Sequence, residues 1–123
     1  MTKDAATLTT LKKRSDFILA SKAKRKAVTG FILQARERAA DELSDNQEQI
    51  RVGYTCSKKV GNAVMRNRAK RRLREIARAG LQQYGLAGWD YVLIGRNTVT
   101  GTRDFSKLEG DLAYALRKLH GGS

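Results

Sequence analysis

Nine cations lie between residues 56 and 80 (Lys58, Lys59, Arg66, Arg68, Lys70, Arg71, Arg72, Arg74 and Arg78), against one acid, Glu75. The chemistry open to such a cluster is anion binding. Arginine predominates in it, and the planar guanidinium fork favours bidentate phosphate contacts and stacking on bases. Asn67, set among the arginines, both donates and accepts, so it can read a base edge or a ribose hydroxyl as well as a phosphate; the competing reading is a surface residue of no account. Lys and Arg on a helix often form only a solvated face. Such faces interleave acids for i,i+4 pairing, yet residues 66–74 contain none, and Lys70, Arg74 and Arg78 repel along one ridge. A nucleic acid is the favoured partner. A membrane surface ranks well below it, because the helix lacks the Trp and Phe of an interfacial anchor.

Other chemistries have little to stand on. Cys56 is the only cysteine and His120 the only histidine, which leaves no disulfide framework, no thiolate cluster for zinc and no well-placed histidine for a nucleophilic triad. The apolar runs, such as Tyr91-Val92-Leu93-Ile94, are too short to cross a bilayer. A soluble, reduced, cytoplasmic protein is expected, with no membrane partner. Its 123 residues carry 25 Lys and Arg against 12 Asp and Glu, a formal charge of +13, with 41% hydrophobic residues. That is enough to fold one domain, 1–123, around a modest core.

The elements that must position the cations follow from periodicity. Gly61 breaks the chain, Asn62 can cap, and a long helix is predicted from 63 to about 83. At ~100° per residue, Met65, Ala69, Leu73, Ile76, Ala77 and Gly80 share one apolar sector, and Asn67, Lys70, Arg71, Arg74 and Arg78 lie opposite. A second basic window, 11–26, holds seven cations and one acid, Asp16; Ser15 is a plausible N-cap there for a short helix over 16–22 that carries Phe17. Strands are predicted over 28–35, 50–57 and 89–96, with a further short one possible within 25–30. The segment 37–49 holds Glu37, Asp41, Glu42, Asp45 and Glu48 opposed by Arg38, and reads as a flexible acidic loop joining the first two strands as an antiparallel pair. Ser106 and Glu109 form a capping-box pattern ahead of an amphipathic helix with Leu108, Leu112, Ala115, Leu116 and Leu119. The order gives an α+β or α/β protein with a small sheet.

The stretch Ser57-Lys58-Lys59-Val60-Gly61-Asn62-Ala63-Val64-Met65-Arg66-Asn67-Arg68-Ala69-Lys70-Arg71-Arg72-Leu73-Arg74-Glu75 resembles the signature of the bacterial ribonuclease P protein component, whose arginine-asparagine-arginine motif stands here as Arg66-Asn67-Arg68. The resemblance extends through Leu11-Lys12-Lys13-Arg14-Ser15-Asp16-Phe17, Phe31-Ile32-Leu33, Arg51-Val52-Gly53 and Asp90-Tyr91-Val92-Leu93-Ile94-Gly95-Arg96. It implies an α/β sandwich with a mixed sheet of about four strands and a left-handed crossover through the long basic helix, where the general rule would give a right-handed one. It further implies that the protein, itself a monomer, binds a catalytic RNA, and that the pair removes the 5′ leader from precursor tRNA. The resemblance also implies that the RNA and its magnesium ions carry the chemistry, so that no catalytic or metal-ligating residue is assigned to the protein. By matching position, Arg66, Asn67, Arg68, Lys70, Arg71 and Arg74 would face the catalytic RNA, with Lys58, Lys59 and Asn62 in support. Phe17, Ile32, Gln34 and Thr55 would line a cleft for the single-stranded leader; for Phe17 the plain alternative is core packing. Ser21 and Gln34 stand where relatives often carry aromatics, so base stacking worth about 1–3 kcal/mol per ring is missing there.

Two other functions compete. A structural RNA-binding protein that supports no cleavage would share the composition and lack the ordered signature around Arg66. A self-sufficient nuclease would need clustered carboxylates for two metals, and the acids gather mostly in 37–49.

Overall fold

The computed structural model describes residues 7–39 and 49–121. Five strands, β1 (Thr7–Thr10), β2 (Lys24–Ala27), β3 (Phe31–Glu37), β4 (Gln49–Thr55) and β5 (Trp89–Gly95), form one mixed sheet in the order β1-β4-β5-β3-β2. β4 runs parallel to β1 and β5, and β3 runs antiparallel to β5 and β2. The helices are α1 (Arg14–Ser21), α2 (Ala63–Tyr84), α3 (Val99–Thr102) and α4 (Phe105–Leu119).

Alternation along the strands divides the apolar residues between two layers. On one face Phe31, Leu33 and Ala35 of β3, Ile50 and Val52 of β4, and Tyr91 and Leu93 of β5 are covered by Leu73, Ile76, Ala77 and Leu81 of α2 and by Leu108, Leu112, Ala115 and Leu116 of α4. Each such fully buried Leu or Ile contributes about 1.5–3 kcal/mol by leaving water. On the other face a smaller cluster joins Leu11, Ala20 and Val92 with the half-buried Phe17 and Ile94. α1 therefore closes one side of the sheet, and α2 with α4 the other.

Several sequence expectations need correction. The runs near 28–35 and 50–57 are not an adjacent pair: β5 lies between β3 and β4. β5 is the most continuously apolar strand, and the centre of the sheet, covered on both faces, is where it buries most; the β4-α2-β5 crossover delivers it there, parallel to β4. Residues 40–48 of the acidic loop lie outside the described residues, but its ends are structural: Glu37 closes β3, Gln49 opens β4, and Arg38 is buried at 2% exposure. The sheet has five strands because Thr7–Thr10, without apolar alternation, pairs along β4. α1 begins at Arg14, with Lys13 in the cap position and no side-chain cap bond, so Ser15 is inside the helix; Leu11, buried and bonded through its N–H to Val52 O at 2.9 Å, anchors the entry. At α4 the cap position falls to Asp104, again without a side-chain bond, and Ser106 lies within the helix. Met65, assigned to the apolar sector of α2, is 45% exposed, because the buried positions of α2 begin only at Ala69.

Candidate nucleic-acid interface

The start of α2 is tied down by local hydrogen bonds. Lys58–Val60 form a single 3-10 turn in which Ser57 Oγ accepts from the Lys59 N–H at 3.2 Å and Val60 is buried. Gly61 follows at φ 141°, a conformation open to glycine. Asn62 Oδ1 then accepts from the Met65 N–H at 2.9 Å. This residue, assigned to RNA contact, is thus first an N-cap. Lys58 and Lys59 are left exposed beside the helix N-terminus, whose free N–H groups also favour anions.

Along α2 the cations fall into two kinds. Asn67, Arg71, Arg74 and Arg78 are exposed on the outer side, with Lys70 half-buried among them. Arg74 also lies over the Tyr54 ring at 5.4 Å, a cation–π contact worth about 0.5–1 kcal/mol at an exposed site. Three others are partly engaged with backbone carbonyls. Arg66 Nη1 donates to Gly61 O at 2.8 Å, Arg68 Nε donates to Gly101 O at 2.9 Å, and Arg72 donates to Gly101 O at 2.6 Å and to Arg103 O. A guanidinium has five N–H donors, so each keeps donors for a phosphate while its position is set in advance. Arg72 chiefly staples α3 to α2. Cys56, half-buried near Lys70 and Arg66, has its thiol pushed up by burial, against the Gly95 backbone bond and those two cations, which pull it down.

The second surface lies between α1 and the sheet. The register places Ile32, Ile94 and Thr55 in one row across β3, β5 and β4, and Gln34, Val92 and Gly53 in the next. Phe17 sits on Gly53: a Cβ there would come within 2.5 and 2.6 Å of ring atoms Cε1 and Cζ. Glycine in this strand therefore provides the seat of the ring, and Phe17, half-buried, packs by one side while retaining exposure. Ile32 and Thr55 are half-buried on the same face, but Gln34 is 7% exposed, so it belongs to the floor more than to an open wall. Ser21 bonds through Oγ to Ile18 O at 2.6 Å, and neighbouring Ile18 and Leu19 are exposed.

A third row closes one end of this cleft with charge. Arg36, Asp90 and Arg51 are register partners, and Asp90, fully buried, receives Arg38 Nη1 at 2.6 Å, Arg51 Nε and Nη2 at 2.8 and 2.7 Å, and Arg36 Nη1 at 3.4 Å. Arg51 Nη2 also reaches Asp16 of α1 at 3.5 Å, linking the helix that carries Phe17 to the sheet. Arg38 further donates to Trp89 O and Gln49 O at 3.1 and 2.7 Å. Among the described residues no three His, Cys, Asp or Glu gather where they could hold a metal ion, and no helix is long and apolar enough to cross a membrane.

The family model for ribonuclease P matches residues 6–120. The chain belongs to the ribonuclease P protein family. The ribonuclease P protein component of Ruegeria pomeroyi is 58% identical over 92% of this chain and 87% of its own length, and that of Paramagnetospirillum magneticum 47% identical over 94% and 85%. Among solved structures, the RNase P protein of Staphylococcus aureus aligns with a TM-score of 0.68 at 27% identity, covering 89% of this chain and 93% of its own. That of Thermotoga maritima aligns with a TM-score of 0.65 at 25% identity, covering 88% and 94%.

Of the residues assigned by resemblance to this family, the structure brings Lys58, Lys59, Asn62, Arg66, Asn67, Arg68, Lys70, Arg71 and Arg74 onto one helix and the turn before it, and Phe17, Ile32, Gln34 and Thr55 onto the opposite face of the sheet. Sequence reasoning missed Gly53, Tyr54, Arg51 and Asp90. A glycine inside an otherwise apolar strand and one carboxylate at the head of the most apolar strand were the available signals; their partners are distant in sequence.

Proposed function

We propose that the protein serves ribonuclease P through two contacts made at once, holding the catalytic RNA on the cationic face of α2 and the single-stranded 5′ leader of precursor tRNA in the α1 cleft. The observation that carries this reading is the position of the open end of the cleft. The row Ile32-Ile94-Thr55 is the one nearest α2, because Thr55 leads through the Lys58–Val60 turn straight to Ala63. A strand lying over Phe17 and leaving past Thr55 therefore meets Lys58, Lys59 and the Arg66-Asn67-Arg68 turn, where its phosphates and those of a folded RNA share counter-charge. The other end is occupied by the Asp90 arginine cluster.

The protein's share is binding and orientation. Among the described residues no three carboxylates, histidines or cysteines gather to hold a metal ion, and the engaged acids Asp90 and Asp111 do not fit one: Asp90 is enclosed by three arginines, and Asp111 accepts from Arg103 at 2.8 and 3.2 Å and from the Gly30 N–H at 3.0 Å. Magnesium in the holoenzyme is accordingly assigned chiefly to the RNA. Fixed cations beside the scissile region lower phosphate repulsion without leaving their positions, since Arg66 and Arg68 are already bonded to the backbone. The test is reconstitution: purified protein mixed with the catalytic RNA at low magnesium should stimulate 5′ leader removal from precursor tRNA. Absence of stimulation overturns the reading, and cleavage by protein alone would replace it with a nuclease.

A further inference from the structure

The cations of the 11–26 window do not all flank Phe17. Alternation along β2 turns Lys24 and Lys26 toward α4, where Lys24 lies over Trp89 at 5.5 Å and donates to Leu119 O at 3.1 Å, and Lys26 lies over Tyr114 at 5.6 Å. Tyr114 is 40% exposed. Arg117 and Lys118 also approach its centroid, at 5.7 and 5.6 Å, so one phenol is surrounded by three cations from two elements. Tyr114 and Lys26 line a groove of about 420 Å³ together with Thr29, Arg96 and Asp111, within the ~300–1,000 Å³ of ordinary ligand sites. Asp111, the one acid lining it, is already taken by Arg103 and the Gly30 N–H.

This groove is separate from the two surfaces above. β2 is the edge strand opposite β1, and α2, which shares the face of α4, packs over β1, β4 and β5 toward the β1 edge. Three like charges around one ring repel, and contacts of about 0.5–1 kcal/mol each with the ring quadrupole do not neutralise them. The ligand that fits has a flat π-face to lie on the phenol and negative charge on both sides of it. An acidic peptide would answer the cations alone, whereas a nucleotide within a single strand offers phosphates to the cations and, as these turn from the phenol to the phosphates, a base to the phenol.

We propose that the Tyr114 groove is a third RNA contact, which stacks one unpaired base on Tyr114 and receives its flanking phosphates on Lys26, Arg117 and Lys118. It rests on the reading that the protein works on RNA, and its test is separable from that reading. Isotope-labelled full-length protein is titrated with a six-nucleotide single-stranded RNA and, separately, with an octaglutamate peptide, and amide shifts are followed by NMR. The RNA should move the resonances of Ala27, Tyr114 and Lys118 in the wild-type protein. Tyr114→Leu should weaken binding at those resonances about 5- to 150-fold, Tyr114→Phe should leave it unchanged, and Lys26→Ala should lower the salt slope there by about one. Unmoved resonances, equal affinities for wild type and Tyr114→Leu, or stronger binding of octaglutamate than of RNA would overturn the proposal. Stimulation of leader removal by the wild-type protein, measured alongside, reports on the proposed function alone.

Discussion

Gly53→Ala tests the cleft at its narrowest contact. The added methyl would lie 2.5 Å from Cε1 and 2.6 Å from Cζ of Phe17, whereas carbon atoms pack at about 3.5–4.0 Å, so the ring must retreat by about 1 Å. Leu11 Cβ, 3.3 Å from the same methyl, limits relief on one flank. Overpacking of this kind costs about 1–3 kcal/mol of stability, and lifting Phe17 from its seat removes base stacking of about 1–3 kcal/mol. The assay is the affinity of the reconstituted holoenzyme for precursor tRNA with a leader against mature tRNA without one. Gly53→Ala should reduce the preference for the leader-bearing substrate about 5- to 150-fold and leave binding of the mature tRNA unchanged. Phe17→Ala should do the same, and the double variant should be no worse than Phe17→Ala, because both changes remove one interaction. Additive losses, or a Gly53→Ala holoenzyme with wild-type leader preference, would refute the argument that Gly53 seats a base-stacking ring.

Replacing Arg66 and Arg68 together by Ala should weaken binding of the catalytic RNA and lower the slope of log affinity against log salt by about one for each phosphate no longer neutralised; an unchanged slope in filter binding would return both residues to a solvated face. Asp90→Ala strands the arginines gathered on a fully buried carboxylate and should lower the unfolding free energy by about 3–5 kcal/mol, read from urea denaturation. His120 is held below its ordinary pKa of 6.5 by burial first and Lys24 second, against an opposing pull from Glu37, and its Nε2 shares a 2.7 Å hydrogen bond with the Tyr91 hydroxyl. The unfolded chain therefore binds the proton more readily, so this contribution to stability is complete above about pH 6.5 and is lost as pH falls through the lower folded value. Thermal melting of wild type and His120→Asn across this window should show the smaller pH dependence in the variant.

The long helix was legible because its information is local. Gly61, the Asn62 cap, and apolar residues recurring on one side of a cationic stretch act within a few residues of one another, and the observed Ala63–Tyr84 follows from them. The same locality makes Lys58, Lys59 and the Arg66-Asn67-Arg68 turn readable as an anion-binding surface. Capping predictions at Ser15 and Ser106 failed because Leu11, docked on β4, and the packing of α4 against the core set where those helices begin.

What the tertiary structure alone decided is which strands are neighbours, and with that which side chains meet. Pairing β5 between β3 and β4 brings Arg36, Arg51 and Asp90 into one row, turns Arg38 from a loop charge into a buried partner, and lays Phe17 on Gly53. The sequence determined that the protein is a cationic α+β domain with its charge concentrated on one helix and one flanking window. Only the fold divided that second window, because adjacent residues of a strand point to opposite faces, sending Lys24 and Lys26 to α4, on the far side of the sheet from Phe17.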